Sequence, residues 1–164
     1  MLQITVAAAT SATPQQVLVA ATDFSAHRAK IWPNVTAKRL EVHARGSDWV
    51  EVTEGATGIA WFAWERSRYD WSEPGRVMQT ALDSNVVEPG STWELRLAPG
   101  ADGGCEVQME LERRFRRTAA GRYGSGLNRL AGRVGWGFML RNMLKAVERE
   151  PAASSPADAA NAAA

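Results

Sequence analysis

Residues 92–113 read TWELRLAPGADGGCEVQMELER. Trp93, Leu95 and Leu97 alternate with Glu94 and Arg96; past a turn made by Pro99 to Gly104, Cys105, Val107, Met109 and Leu111 alternate with Glu106, Gln108, Glu110 and Glu112. A period of two marks a strand with one buried and one wetted face. The connection is too short for a parallel crossover, so the two strands form an antiparallel hairpin. The same grammar extends upstream. Turn residues recur at Arg45 to Asp48, Glu54 to Gly58, Ser72 to Gly75 and Glu88 to Ser91, so that Val35 to Arg117 holds five turns and six antiparallel strands. Large aromatics of both parities in the segment Trp61, Phe62, Trp64, Tyr69 and Trp71 predict a bulge or bend there.

Before this meander, Leu2, Ile4 and Val6 alternate with Gln3 and Thr5, which predicts a first strand. Thr13-Pro14-Gln15-Gln16 combines an N-cap Thr, a Pro at the first helical position and a Gln that closes a capping box, so a helix should run to about Ala21. Asp23 can cap a second short helix, which the Trp32-Pro33 step stops. After the meander, a helical pattern occupies about Tyr123 to Glu150. Leu127, Leu130, Ala131, Val134 and Phe138 cluster on one face, and Leu140, Leu144 and Val147 fall nearly opposite; Gly132, Gly135 and Gly137 at the changeover predict a kink or break.

The 164 residues, 45% hydrophobic, suit one domain over 1–150. Residues 151–164 carry only Pro, Ala, Ser, Asp and Asn, which predicts a disordered tail. Met1 to Thr10 has neither the basic start nor the apolar length of a secretory signal, and no run reaches the roughly 20 apolar residues of a membrane span. One cysteine, Cys105, leaves no intramolecular disulfide and fits a small apolar core position; with these features the expected location is cytoplasmic. His27 and His43 lie in different elements without a third ligand at metal spacing, so neither metal nor cofactor is expected. The net charge of +1 argues against nucleic acid, but charge is segregated: residues 113–149 hold ten basic side chains against Glu148 alone, or +9, and residues 1–112 hold nine basic and fifteen acidic, or −6.

Strand, two short helices, six strands and a long helix make an α+β chain whose curved sheet must bury its apolar face against the terminal helix. That order, with Trp64-Glu65-Arg66, Tyr69-Asp70-Trp71, Asp83-Ser84-Asn85 and Pro89-Gly90-Ser91-Thr92-Trp93, resembles the SRPBCC superfamily, the START-like or helix-grip group of polyketide cyclases and dehydrases, pollen allergens and lipid-transfer domains. The resemblance covers about Met1 to Glu150. It implies a β-α-α-β6-α helix-grip fold, with a seven-stranded antiparallel sheet wrapped round the C-terminal helix and a deep pocket for an apolar ligand roofed by that helix. It transfers no catalytic residue.

Seven tryptophans are the most unusual feature of the composition, and rigid aromatic walls suit a pocket for flat apolar molecules. The expected lining is Trp32, Trp64, Trp71, Trp93, Met109, Leu127, Leu130 and Val134; the competing reading is that the indoles fill the core or cover the outer sheet face. Among the polar residues Glu65, Arg66, Arg68, Tyr69, Asp70, Asp83 and Asn85, the candidate acid–base groups are Glu65, Tyr69 and Asp70. Burial would tune them for aldol-type cyclisation or dehydration. Cross-strand ion pairs on the solvated face compete with that reading. Three functions follow: binding of a hydrophobic small molecule or lipid between sheet and helix, a cyclase or dehydratase, and an interaction module docking through its basic helix. The last allows peripheral contact with an anionic membrane through residues 113–149.

Overall fold

The computed structural model describes residues 1–150, so the expected disordered tail over 151–164 lies outside the described residues. Seven strands, β1 (Leu2–Thr10), β2 (Glu41–Arg45), β3 (Trp49–Gly55), β4 (Trp64–Asp70), β5 (Arg76–Ser84), β6 (Thr92–Pro99) and β7 (Cys105–Arg113), form one antiparallel sheet in the order β1-β7-β6-β5-β4-β3-β2. All five expected turns join consecutive strands. The first strand closes on the last, with Leu2 opposite Arg113 and Thr10 opposite Cys105. The β4–β5 register does shift between Arg66 and Ser67, but the extra residue, Leu82, lies in β5, so the bulge expected in the aromatic segment falls on its partner strand; Trp61 to Ala63 precede β4 and Trp71 follows it.

Two helices cross from β1 to β2. In α1 (Pro14–Ala21) the Thr13 hydroxyl accepts from the Gln16 amide, and the Gln16 side chain accepts from the Thr13 amide, the reciprocal capping box that the sequence predicts. The second, α2 (Arg28–Ile31), ends just before Trp32 and Pro33; Asp23 bonds the Ser25 amide in the turn before it rather than capping the helix itself. One cluster of buried residues draws on all three helices and every strand except β2, which is exposed along its length. Leu95, Met109 and Leu111, each at most 1% exposed, lie in it, and truncating any one to Ala should cost about 2–5 kcal/mol.

The terminal helix α3 (Ala119–Arg149) corrects the sequence reading twice. It is one continuous helix of 31 residues, so the glycines do not break it. Its large apolar residues also face away from the sheet in the first half. Leu130 is 90% exposed, Val134 74% and Phe138 58%, while Gly121, Gly124, Gly132 and Gly137 are buried. Sterics give the reason. A Cβ on Gly121 would lie 2.0 Å from the Arg116 carbonyl oxygen, on Gly124 2.6 Å from Val86 Cγ1, and on Gly132 2.6 Å from Ile4 Cδ1. The helix can lie flush on this surface only along a side without side chains. In its last turns the pattern reverts to the ordinary one, with Leu140, Met143, Leu144 and Val147 buried.

Candidate functional site

The β3–β4 register sets Glu54 directly opposite Glu65, and Val50 and Val52 opposite Tyr69 and Ser67, all on the concave face. Cross-strand neighbours lie roughly 4.5–5.5 Å apart at Cβ, so two carboxylates share one patch. Each is offset by an arginine from a different element. Arg28 of α2, 1% exposed, pairs its Nε with Glu54, and Arg113 at the end of β7 places Nη1 3.0 Å from both oxygens of Glu65. The Tyr69 hydroxyl donates to Glu54, Ser67 Oγ donates to Glu65 at 3.0 Å, and the Gln79 amide donates to both Glu65 and Ser67. Removing one member of such a buried pair leaves an uncompensated charge, at a cost of about 3–5 kcal/mol.

Arg28 also stands in an aromatic enclosure. Its guanidinium carbon lies 4.1 Å from the Phe24 ring centre, 5.1 Å from Tyr69 and 5.6 Å from Trp32, and its Nη1 donates to the Ala21 carbonyl at 3.1 Å. Tyr69 packs edge-on against Phe24 at 4.7 Å and Trp93 at 5.5 Å, and Trp32 is 5.8 Å from Trp93. Burial, with the Glu54 charge beside it, pushes the Tyr69 phenol well above its ordinary pKa. Burial works to lower the Arg28 pKa, but Glu54 and Tyr69 more than offset it and raise it. Both effects keep tyrosine neutral and arginine charged at physiological pH. Two polar atoms on this face are buried without a hydrogen-bond partner, Trp32 Nε1 and Gln79 Oε1, and Gln79 lies across the β5–β6 pair from Trp93. One is a donor and the other an acceptor.

The expected site residues therefore divide. Trp32, Trp93 and Met109 are buried in the core, with Tyr69 beside Trp93, and Glu65 is half-buried on the concave face. Trp71 is half-buried and stacks on Phe24 at 6.5 Å. Asp70 does not join Glu65 and Tyr69. It lies on the opposite parity and accepts from the Ser72 hydroxyl at 2.6 Å and the Ser72 amide at 3.0 Å, bonds that hold its pKa below the usual carboxylate value and make it the cap of a turn. Trp64 shares the parity of exposed Arg66 and Arg68 and lines a surface concavity of about 410 Å3 with Lys38, Arg39, Thr53, Phe62 and Asn85. Leu127 is half-buried, and Leu130 and Val134 point to solvent because the glycine side of α3 occupies the sheet contact. A second concavity, of about 380 Å3, lies between Phe115 to Arg117 and the first turns of α3. Neither concavity is lined by the concave-face side chains, which in this conformation pack against one another.

Sequence reasoning missed Arg28, Glu54, Gln79 and Arg113. Two of them were signalled: Gln79 stands at a buried parity of β5, and Arg113 continues the Cys105 to Leu111 alternation into the interior.

No family model and no curated protein matches the chain. Solved structures do. It is similar to a START superfamily protein from Mycobacterium smegmatis (11% identity, TM-score 0.70, covering 90% of this chain and 97% of that one) and to the Zhui aromatase/cyclase from Streptomyces sp. R1128 (14%, 0.73, 90% and 94%). A third is norcoclaurine synthase from Thalictrum flavum in complex with dopamine and hydroxybenzaldehyde (10%, 0.63, 92% and 88%). At these identities the likeness establishes the fold, which is the START-like, helix-grip fold of SRPBCC proteins.

Proposed function

We propose that this START-like chain, with residues 1–150 acting as one unit, binds a hydrophobic small molecule or lipid between its antiparallel sheet and the C-terminal helix. The observation that carries the reading is the pair of unpartnered buried atoms, Trp32 Nε1 and Gln79 Oε1, next to Trp93. Buried polar atoms are nearly always bonded, and an orphaned donor and acceptor beside indole rings fit a flat apolar guest that carries one hydroxyl or carbonyl. A small outward shift of α3 or of the Trp32 segment would admit it. The similarity to an aromatase/cyclase and to a synthase complexed with two aromatic molecules agrees with such a guest. A cytoplasmic location belongs to the same proposal; among the described residues no helix is long and apolar enough to cross a membrane.

The test is titration of the full chain with 2-naphthol, followed by tryptophan fluorescence, together with native mass spectrometry of protein taken directly from cells. Saturable quenching that Gln79→Ala weakens about tenfold, with unchanged circular dichroism, is the expected result. A folded protein that neither retains a small molecule nor shows saturable binding would reject the proposal.

A cyclase or dehydratase is the second reading, favoured by the juxtaposed carboxylates. Glu65 with Glu54 would then exchange protons with substrate, and neutral Tyr69, whose one proton goes to Glu54, would hold that carboxylate in place. Asp70, sequestered in its turn, would take no part.

A further inference from the structure

The first half of α3 carries an apolar stripe with no partner. At 100° per residue Tyr123, Leu127, Leu130, Val134 and Phe138 fall within an arc of about 80°. Tyr123 is 51% exposed, and Leu130, Val134 and Phe138 more so. Trp61, 65% exposed, belongs to the same patch through Phe62, whose ring centre is 6.3 Å from Trp61 and 5.6 Å from Tyr123. Contiguous exposure of this kind marks an interaction surface. Along the other flank of the outward face run Arg122, Arg129 and Arg133.

A separate observation lies on that flank. The 380 Å3 concavity is lined by Arg116, Arg117, Arg122 and Arg129, with Phe115 and Gly121 between them. Arg116 bonds Asp83 at 2.7 Å and the Val87 carbonyl at 3.1 Å. Among the described residues the side chains of Arg117, Arg122 and Arg129 have no hydrogen-bond or ion-pair partner. Three arginines with unpaired side chains thus line one recess, and guanidinium is the group that pairs bidentately with phosphate oxygens.

We propose that the outward face of α3 docks on an anionic phospholipid bilayer, with the Tyr123–Phe138 stripe and Trp61 in the interfacial layer and the arginine recess holding a lipid phosphate. The inference deepens the preceding reading by naming the phase from which an apolar guest is drawn. Charge decides the occupant. A second copy of the chain would set arginine row against arginine row, with no acidic residue between 113 and 147 to relieve it. A bilayer surface supplies negative charge, accepts the apolar stripe, and favours tryptophan and tyrosine at its interface.

The experiment is co-sedimentation of the full chain with phosphatidylcholine vesicles, with and without phosphatidylglycerol. The variants are Leu130→Ser/Val134→Ser and Arg122→Gln/Arg129→Gln, all at exposed positions, and their folding is checked by circular dichroism. Partition should require phosphatidylglycerol, weaken with salt, fall about fivefold for each arginine removed, and fall at least tenfold in the serine variant. Unchanged partition of the serine variant, equal partition onto pure phosphatidylcholine, a stable dimer of the free protein, or binding of inorganic phosphate without vesicle association would each overturn the proposal. Titration of the same variants with 2-naphthol separates the two readings. Naphthol binding that survives loss of vesicle binding leaves the guest site standing, and vesicle binding without naphthol binding removes only the guest site.

Discussion

Tyr69 shows how one concave-face residue sets the chemistry of its patch. Its hydroxyl donates to Glu54, which Arg28 already holds, so the phenol must stay protonated for the three groups to remain compatible. Because its folded pKa is raised well above the ordinary value of about 10, its contribution to stability is complete below that pH and is lost as pH climbs through the folded value. Tyr69 and Tyr123 are the only tyrosines. A Tyr123→Phe variant therefore isolates Tyr69 in a spectrophotometric titration. Phenolate absorbance should emerge only together with alkaline unfolding; reversible ionisation near pH 10 in the folded protein would contradict the geometry. Such a clamped phenol, its one proton given to Glu54, can meet a guest only as an acceptor through its oxygen and is poorly suited to nucleophilic attack.

At the scale of elements, α3 turns on where it lacks side chains. A Cβ at Gly121 would press on the backbone oxygen of Arg116, whereas one at Gly135 would meet open space. Gly121→Ala should destabilise by about 1–3 kcal/mol, and Gly135→Ala should stabilise by about 1 kcal/mol, seen as an upward shift in Tm of about 2–4 °C. Calorimetry of the two variants checks the assigned face, since the outward-glycine reading predicts stabilisation by both. The strands, turns and capping box were legible in the sequence because each depends on neighbours within a few residues: a period of two, a Pro at the first helical position, a Gly after an Asp. The face of α3 was not. Apolar periodicity selects the side that is greasiest, and here the sheet takes the side that is thinnest. The same limit hid the Glu54–Arg28 and Glu65–Arg113 pairs, whose partners lie 26 and 48 residues apart. Tertiary packing brings them together: α2 is laid against the sheet in the first pair, and the second spans the sheet from β7 to β4.

Considered as a whole molecule, the fold joins its first and last strands and covers β1 with the helix that follows β7. The two ends of that helix are held very differently. Near its C-terminus four large side chains are buried, worth about 1.5–3 kcal/mol each. There Glu148 accepts from the Thr10 hydroxyl at 2.7 Å and the Ser11 amide at 3.0 Å, and Glu150 lies 2.6 Å from His27 Nε2. The other half rests on glycines, a seam with little grip. Amide hydrogens of residues 121–132 should accordingly exchange with deuterium well before those of 139–147, by an opening far smaller than global unfolding. The molecule then resembles a hinged plank bolted at one end, whose loose end carries the oily flank, so that breathing at a lipid surface would uncover the interior without dismantling the sheet.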